Sequence, residues 1–249
     1  ILKIHIRYMT DQQRFIFIQA SLLLCCSAIL WVFFPVGGAL DLSLIEPWMS
    51  EAGEFPLRYD WALAVLNHSW VKNVLIAAYV VILLQWLASF KFAPLKPRRF
   101  ELGYFFWAAM LCTAVVGILK SQSAHACPWS MTAALPHGFL WVLKNENGHC
   151  FPGGHASTGF AFMTGYFVYR LSNPKRAYFF LFSGFILGFA MGWAQMMRGA
   201  HFLSHNLWTA WVVWLVNVII YGIFYKRIAL QAQPVIHLSG GAEAHTPLP

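Results

Sequence analysis

Three short stretches of the chain hold residue types that can do chemistry together. The first is Lys120, followed by Cys127-Pro128; the second is Pro152-Gly153-Gly154-His155; the third is Arg198-Gly199-Ala200-His201-Phe202-Leu203-Ser204-His205-Asn206. Lys and Arg neutralise phosphate oxygens, and Arg can do so with two parallel hydrogen bonds. A Gly-Gly turn opening a helix lets backbone N–H groups approach an anion closely. One histidine can attack phosphorus while another protonates the leaving oxygen. This set suits phosphoryl transfer better than acyl transfer.

The elements that must position these residues follow from composition. Of 249 residues, 59% are hydrophobic and only 10% charged, against about 25% charged in an ordinary soluble domain. A simple soluble globule is excluded, because a chain with 12 Trp and 22 Phe carries more apolar surface than one aqueous core can hide. Six apolar segments approach the roughly 20 residues of a membrane span: residues 15–36, 70–90, 101–119, 156–171, 178–197 and 206–225, the fourth short and glycine-containing. The first follows Lys3, Arg7 and Arg14, but at roughly 22 residues it exceeds the about 7–15 of a signal-peptide core and reads as a retained span. The expected fold is all-α, a six-span transmembrane helix bundle. Each chemical stretch stands at a span end, and all three ends point to one face.

The net charge of +8 lies at the edges of the apolar runs, which fits a membrane surface and not nucleic acid. With the N-terminus inside, only Arg58, Lys72, Lys120, Lys144 and Arg198 of the 17 Lys and Arg fall outside. This asymmetry predicts cytoplasmic termini and puts the three stretches at the outer face; the outer site and compact size favour a bacterial inner membrane, where that face is periplasmic. Residues 37–69, with Asp41, Glu46, Glu51, Glu54 and Asp60, read equally as an interfacial helix or an acidic linker. The domain is expected over residues 1–228, with 229–249 a disordered cytoplasmic tail. There is no internal repeat, and oligomeric state is not legible.

The three stretches resemble the signatures of the type 2 phosphatidic acid phosphatase (PAP2) and vanadium haloperoxidase superfamily: Lys-x6-Arg-Pro, Pro-Ser-Gly-His and Ser-Arg-x5-His-x3-Asp. The resemblance implies that Lys120 holds a phosphate oxygen, Gly153 and Gly154 supply backbone donors, and His155 is the general acid. It makes His201 the nucleophile that forms a phosphohistidine, with no metal or other cofactor. Four positions depart from the pattern: Cys127 stands for Arg, Gly153 for Ser, Gln195 for Arg and His205 for Asp. Arg198, on the same helix face as Gln195, is the expected substitute cation. Asn206, with His205, is expected to orient His201.

Beyond Glu101 the only carboxylates are Glu146 and Glu243. A carboxylate serving the histidines must therefore come from Glu146 or from the acidic outer segment. Cys127 and Cys150 are a candidate disulfide pair in a compartment that permits one. His125, His137 and His149 match no familiar zinc-ligand spacing. The resemblance implies hydrolysis of a phosphate monoester or diphosphate on an outer-leaflet lipid: lipid A, undecaprenyl diphosphate, phosphatidylglycerol phosphate or phosphatidic acid. The alternatives are a lipid-to-lipid phosphotransferase using the same site and a non-catalytic membrane protein that binds lipid phosphate.

Overall fold

The computed structural model describes residues 9–232. Helix α1 spans Asp11–Phe33 and starts on a capping box in which Thr10 and Gln13 satisfy each other's backbone N–H groups. It buries only Phe15, Gln19, Leu23 and Leu30, one narrow stripe, and turns the rest of its apolar surface outward. That stripe meets the last helix, where Trp211 Nε1 donates to the Leu23 carbonyl (2.9 Å) and Trp214 Nε1 to Gln19 Oε1 (2.8 Å).

The outer segment is neither one interfacial helix nor a bare linker. It forms the short helix α2, Ala39–Ile45, then 3-10 turns at Glu46–Trp48 and Pro56–Tyr59. A wide helical stretch, Ala62–Val71, runs directly into α3, Lys72–Ala88, so the second apolar helix begins well before position 70. Helix α4, Arg99–Gln122, leads to a loop carrying the hairpin β1 (Thr132–Leu135) and β2 (Gly138–Trp141), paired antiparallel with Thr132 opposite Trp141. Helices α5 (Gly154–Phe160) and α6 (Thr164–Tyr169) are joined by a 3-10 turn, Ala161–Met163. Asn173 caps α7, Pro174–Met197, by accepting from the Arg176 N–H, and α8 runs Leu203–Ala232.

Among the described residues five helical stretches are long and apolar enough to cross a membrane: Asp11–Phe33, Ala62–Ala88, Ala93–Gln122, Pro174–Met197 and Leu203–Ala232. The segment expected as a further span, residues 156–171, is divided into helical pieces of 7, 3 and 6 residues. At 1.5 Å per residue they reach about 24 Å, short of the ~30 Å of bilayer hydrocarbon. Packing explains the difference. Phe160, Ala161, Met163 and Phe167 are fully buried, and α5 lies so close to α7 that a Cβ at Gly159 would stand 2.6 Å from the Gly188 nitrogen. Neighbouring helices, not lipid, surround these pieces. At the C-terminus α8 continues through Ala232, so residues 229–232 are helical instead of part of a tail. The remainder of that expected tail, with Lys3 and Arg7 at the other end, lies outside the described residues.

Candidate active site

Helix α7 ends on a Schellman turn: the Gly199 N–H donates to the Met196 carbonyl (2.9 Å) and the Ala200 N–H to that of Gln195 (2.8 Å). Gly199 takes the left-handed conformation this requires, φ 72°, and a Cβ there would meet the Phe55 ring at 2.4 Å. The chain reverses sharply and puts His201 in the joint between α7 and α8, only 2% exposed.

The first turn of α8 is held by a carboxylate from far away in sequence. Asp41, on α2, accepts hydrogen bonds from the Ser204 N–H (2.9 Å), the Ser204 hydroxyl and the Gly37 N–H (3.0 Å). Its side chain is 2% exposed. Burial raises its pKa, and the bonds from Ser204 and Gly37 oppose the rise. A negative charge at a helix N-terminus also interacts favourably with the helix dipole. The acidic outer segment thus does send a carboxylate to this site, but it meets the backbone beside His205 and not an imidazole.

His201 and His205, one helical turn apart, face each other with Nδ1 to Nδ1 at 3.3 Å. One of the two nitrogens must carry a hydrogen for this contact to be a bond. With that hydrogen on His201, its Nε2 lone pair is free to attack. His205 is fully buried, with the rings of Phe151 and Phe202 each 5.4 Å from its own. The Cys150 carbonyl faces both imidazoles. His205 Nε2 has no hydrogen-bond partner among the described residues. Burial first, then the charges of His205, Lys120 and His155, hold the His201 pKa well below the ordinary histidine value. His201 is therefore neutral at physiological pH, the form a nucleophile needs.

Lys120 and His155 thus share one electrostatic neighbourhood with the histidine pair. A Cβ at Gly154 would lie 3.6 Å from the Lys120 ammonium, so the opening of α5 sits directly against this cation. Gly153 is different from what its motif suggests. Its N–H is committed to the His205 carbonyl (3.2 Å), and its own carbonyl accepts from Thr209 Oγ1 (3.1 Å). It staples α5 to α8 and is not an open donor for phosphate.

Two further expectations need correction. Asn206 does not touch the His201 ring: its Nδ2 donates to the Phe202 carbonyl (3.3 Å), and its Oδ1 has no partner among the described residues. Successive residues of a helix point about 100° apart, so Asn206 faces Gly153 and Gly192 while His205 faces His201. A Cβ at Gly153 would stand 2.6 Å from Asn206 Oδ1. The missing Ser of the second signature and Asn206, the residue just after the third, are therefore sterically linked. Arg198 does share a face with Gln195 and bonds to its Oε1 (3.2 Å), but its Nε donates to the Arg58 carbonyl (2.9 Å). It is not among the charges acting on His201, and it ties α7 to the outer segment.

Cys127 and Cys150 form a disulfide, with Cα atoms 5.1 Å apart. The bridged loop is fastened to the site by the Trp129 N–H, which donates to the Gly199 carbonyl (2.9 Å), and by the Cys150 N–H, which donates to that of His125 (2.8 Å). The bridge occupies the place of the signature Arg and fixes the carbonyl that faces the histidines. His125 also belongs to this neighbourhood: its ring lies 5.3 Å from that of Phe151, and its charge acts on His205. Beside the pair is a cavity of about 1160 Å³ between the ends of α1, α4 and α8. Leu30, Phe34, Leu119 and Val212 form apolar wall, and Gln122, His125, Lys144 and Glu146 add polar groups. Phe151 and Phe202 line it and separate it from His205.

A family model described as the PAP2 superfamily matches residues 101–229. The chain belongs to the PAP2 superfamily. No curated protein and no solved structure matches it. PAP2 members are phosphatases, so the activity is, in general terms, that of a phosphoric ester hydrolase. The match takes in all three chemical stretches and leaves out α1, α2 and α3. Asp41 therefore enters the PAP2 site from outside the matched region. The shortage of later carboxylates pointed to its segment, but nothing local in the sequence separates it from the four other acids there.

Proposed function

We propose that this PAP2 chain is an integral membrane lipid phosphatase of six spans, five of them the long helices and the sixth the protein-enclosed α5–α6 segment, with its histidines at the outer face and its termini inside. The observation that carries the reading is the convergence of Lys120, His155, His201 and His205 beside a large, mainly apolar cavity. In this reading the lipid chain lies in the cavity between α1, α4 and α8, and the phosphate reaches the histidines past Phe151.

His201 Nε2 attacks phosphorus, and the bond from phosphorus to the lipid oxygen breaks while His155 gives that oxygen its proton. Water then attacks the phosphohistidine, the phosphorus–nitrogen bond breaks, and His155 takes the proton from the water. His205 steadies the Nδ1 hydrogen of His201, and Lys120 neutralises phosphate oxygens. The substrate is a phosphate monoester or diphosphate of an outer-leaflet lipid, with lipid A and undecaprenyl diphosphate ahead of phosphatidylglycerol phosphate and phosphatidic acid. Transfer of the phosphate to an acceptor lipid instead of water would use the same phosphohistidine and is the alternative outcome of the test.

The test is phosphate release from a panel of these lipids by purified protein and by His201→Ala. Equal release by both would remove His201 as nucleophile. Label appearing on an acceptor lipid instead of as free phosphate would select the phosphotransferase.

A further inference from the structure

The end of the bundle away from the histidines holds a second cavity, of about 650 Å³, between α3, α4 and α8. The distance is set by α4: from Arg99, which lines this cavity, to Lys120 is about 32 Å of helix at 1.5 Å per residue, a full bilayer thickness. We propose that this cavity binds an anionic phospholipid of the leaflet opposite the active site, its phosphate held by Lys96, Arg99 and Arg227. The proposal rests on the membrane-embedded reading above but not on the phosphatase reading.

Three separate elements deliver the cations: the 3-10 turn Ala93–Arg98, the start of α4 and the last turns of α8. Among the described residues no carboxylate lines the cavity. The nearest acid along the chain, Glu101, is drawn instead to Arg176 and Arg98, and its 4.0 Å pair with Arg98 is the one ion pair among the described residues. Among the described residues the three positive charges are thus left without a counter-ion. Arg99 is already fixed in place: its Nε donates to Ser89 Oγ (3.2 Å), its Nη2 to the Ser89 carbonyl, and its guanidinium lies 4.2 Å from the centre of the Phe90 ring. Arg227 lies over Phe100 at 4.8 Å. Ordering these two side chains on a ligand therefore loses little additional freedom.

Below the cations the wall is apolar, formed by Phe100, Trp107, Leu111, Ile220 and Phe224. From Arg99 to Leu111 the groove follows about 18 Å of helix, close to the ~15 Å hydrocarbon depth of one leaflet. Charge at one end and apolar wall for one leaflet's depth match a phospholipid with a charged headgroup. Free phosphate would use only the rim, and a zwitterionic lipid would bring its own cation against three others.

Native mass spectrometry of the detergent-purified protein tests this, with phosphatidylglycerol and phosphatidylcholine added in turn. The expected result is at least tenfold greater retention of phosphatidylglycerol, lost in Lys96→Gln/Arg227→Gln and kept in His201→Ala. Both substituted cations are exposed, so the core is undisturbed, and an unchanged melting temperature of the double variant documents this. Equal retention of the two lipids would overturn the proposal, as would full retention by the double variant. Loss of binding in His201→Ala would place the lipid in the histidine site and also overturn it. Competition by glycerol phosphate at the same concentration as lipid would reduce the groove to a phosphate site and reject the lipid.

Discussion

Asp41→Asn removes one oxygen and one charge with almost no change of shape, so its effect can be worked from the contacts. Three donors converge on the carboxylate: two backbone N–H groups, of Gly37 and Ser204, and the Ser204 hydroxyl. The hydroxyl can turn and accept from the new amide, and the remaining oxygen can serve one N–H. The other N–H is left buried without a partner, which costs about 1–3 kcal/mol. Loss of the anion at the start of α8 adds roughly 0.3–1 kcal/mol. The expected destabilisation is therefore about 1–4 kcal/mol, measurable as thermal unfolding in detergent. Activity should fall further than stability requires, because the freed turn carries His205 and adjoins His201, and a misplacement of about 1 Å can lower a rate on the order of 10²-fold. Phosphate release assayed well below the melting temperature should show kcat reduced with KM little changed. Ser204→Ala, which spares both N–H bonds, should be milder on both measures. Unchanged melting and unchanged kcat in Asp41→Asn would refute the argument that this carboxylate positions the histidine turn.

The same geometry separates the two neighbours on α8. His205→Ala leaves a buried Nδ1 hydrogen of His201 unpaired and should lower turnover about ten- to a hundredfold, whereas Asn206→Ala should leave it nearly unchanged; the reverse order in phosphate release would restore Asn206 as the orienting residue. Reduction of the Cys127–Cys150 bridge opens a loop with a sequence separation of 23, which should destabilise the protein by about 3 kcal/mol; a melting temperature indifferent to reductant, in a sample that gains 2 Da per bridge on reduction (about one hydrogen per sulfur), would contradict this. His201 titrates well below its ordinary value of 6.5 in the folded state, so turnover should not lose its nucleophile as pH falls through 6.5. Lys120→Met removes a charge that depresses this pKa and should shift the acid limb of kcat to higher pH, and an acid limb near 6.5 in the unaltered protein would refute the assignment. Because the unfolded chain binds the His201 proton first, this group's contribution to stability declines as pH falls below about 6.5.

What was legible in the sequence was whatever depends on composition and local spacing. Apolar runs of span length mark the long helices, because lipid imposes a minimum length on an exposed helix. At residues 156–171 the apolar run is instead divided into α5, a 3-10 turn and α6, because these pieces are enclosed by protein and packing against α7 shapes them. That Lys120, His155 and His201 share one neighbourhood was legible, because they lie in short motifs at helix ends that point to one face. The roles of their neighbours were not. Helical phase sends Asn206 to Gly153 and His205 to His201, a single-residue difference that spacing read as shared duty. Gly153 looks like a free donor until the His205 carbonyl is found on its N–H. Asp41 and Ser204 are 163 residues apart, and no local pattern selects that acid from its segment. The chain's own sequence thus determined which chemistry the molecule is equipped for, since reactivity resides in residue type. Only the tertiary structure decided which groups face His201, since hydrogen bonds and charge act over a few ångströms and those distances exist only after the helices have packed.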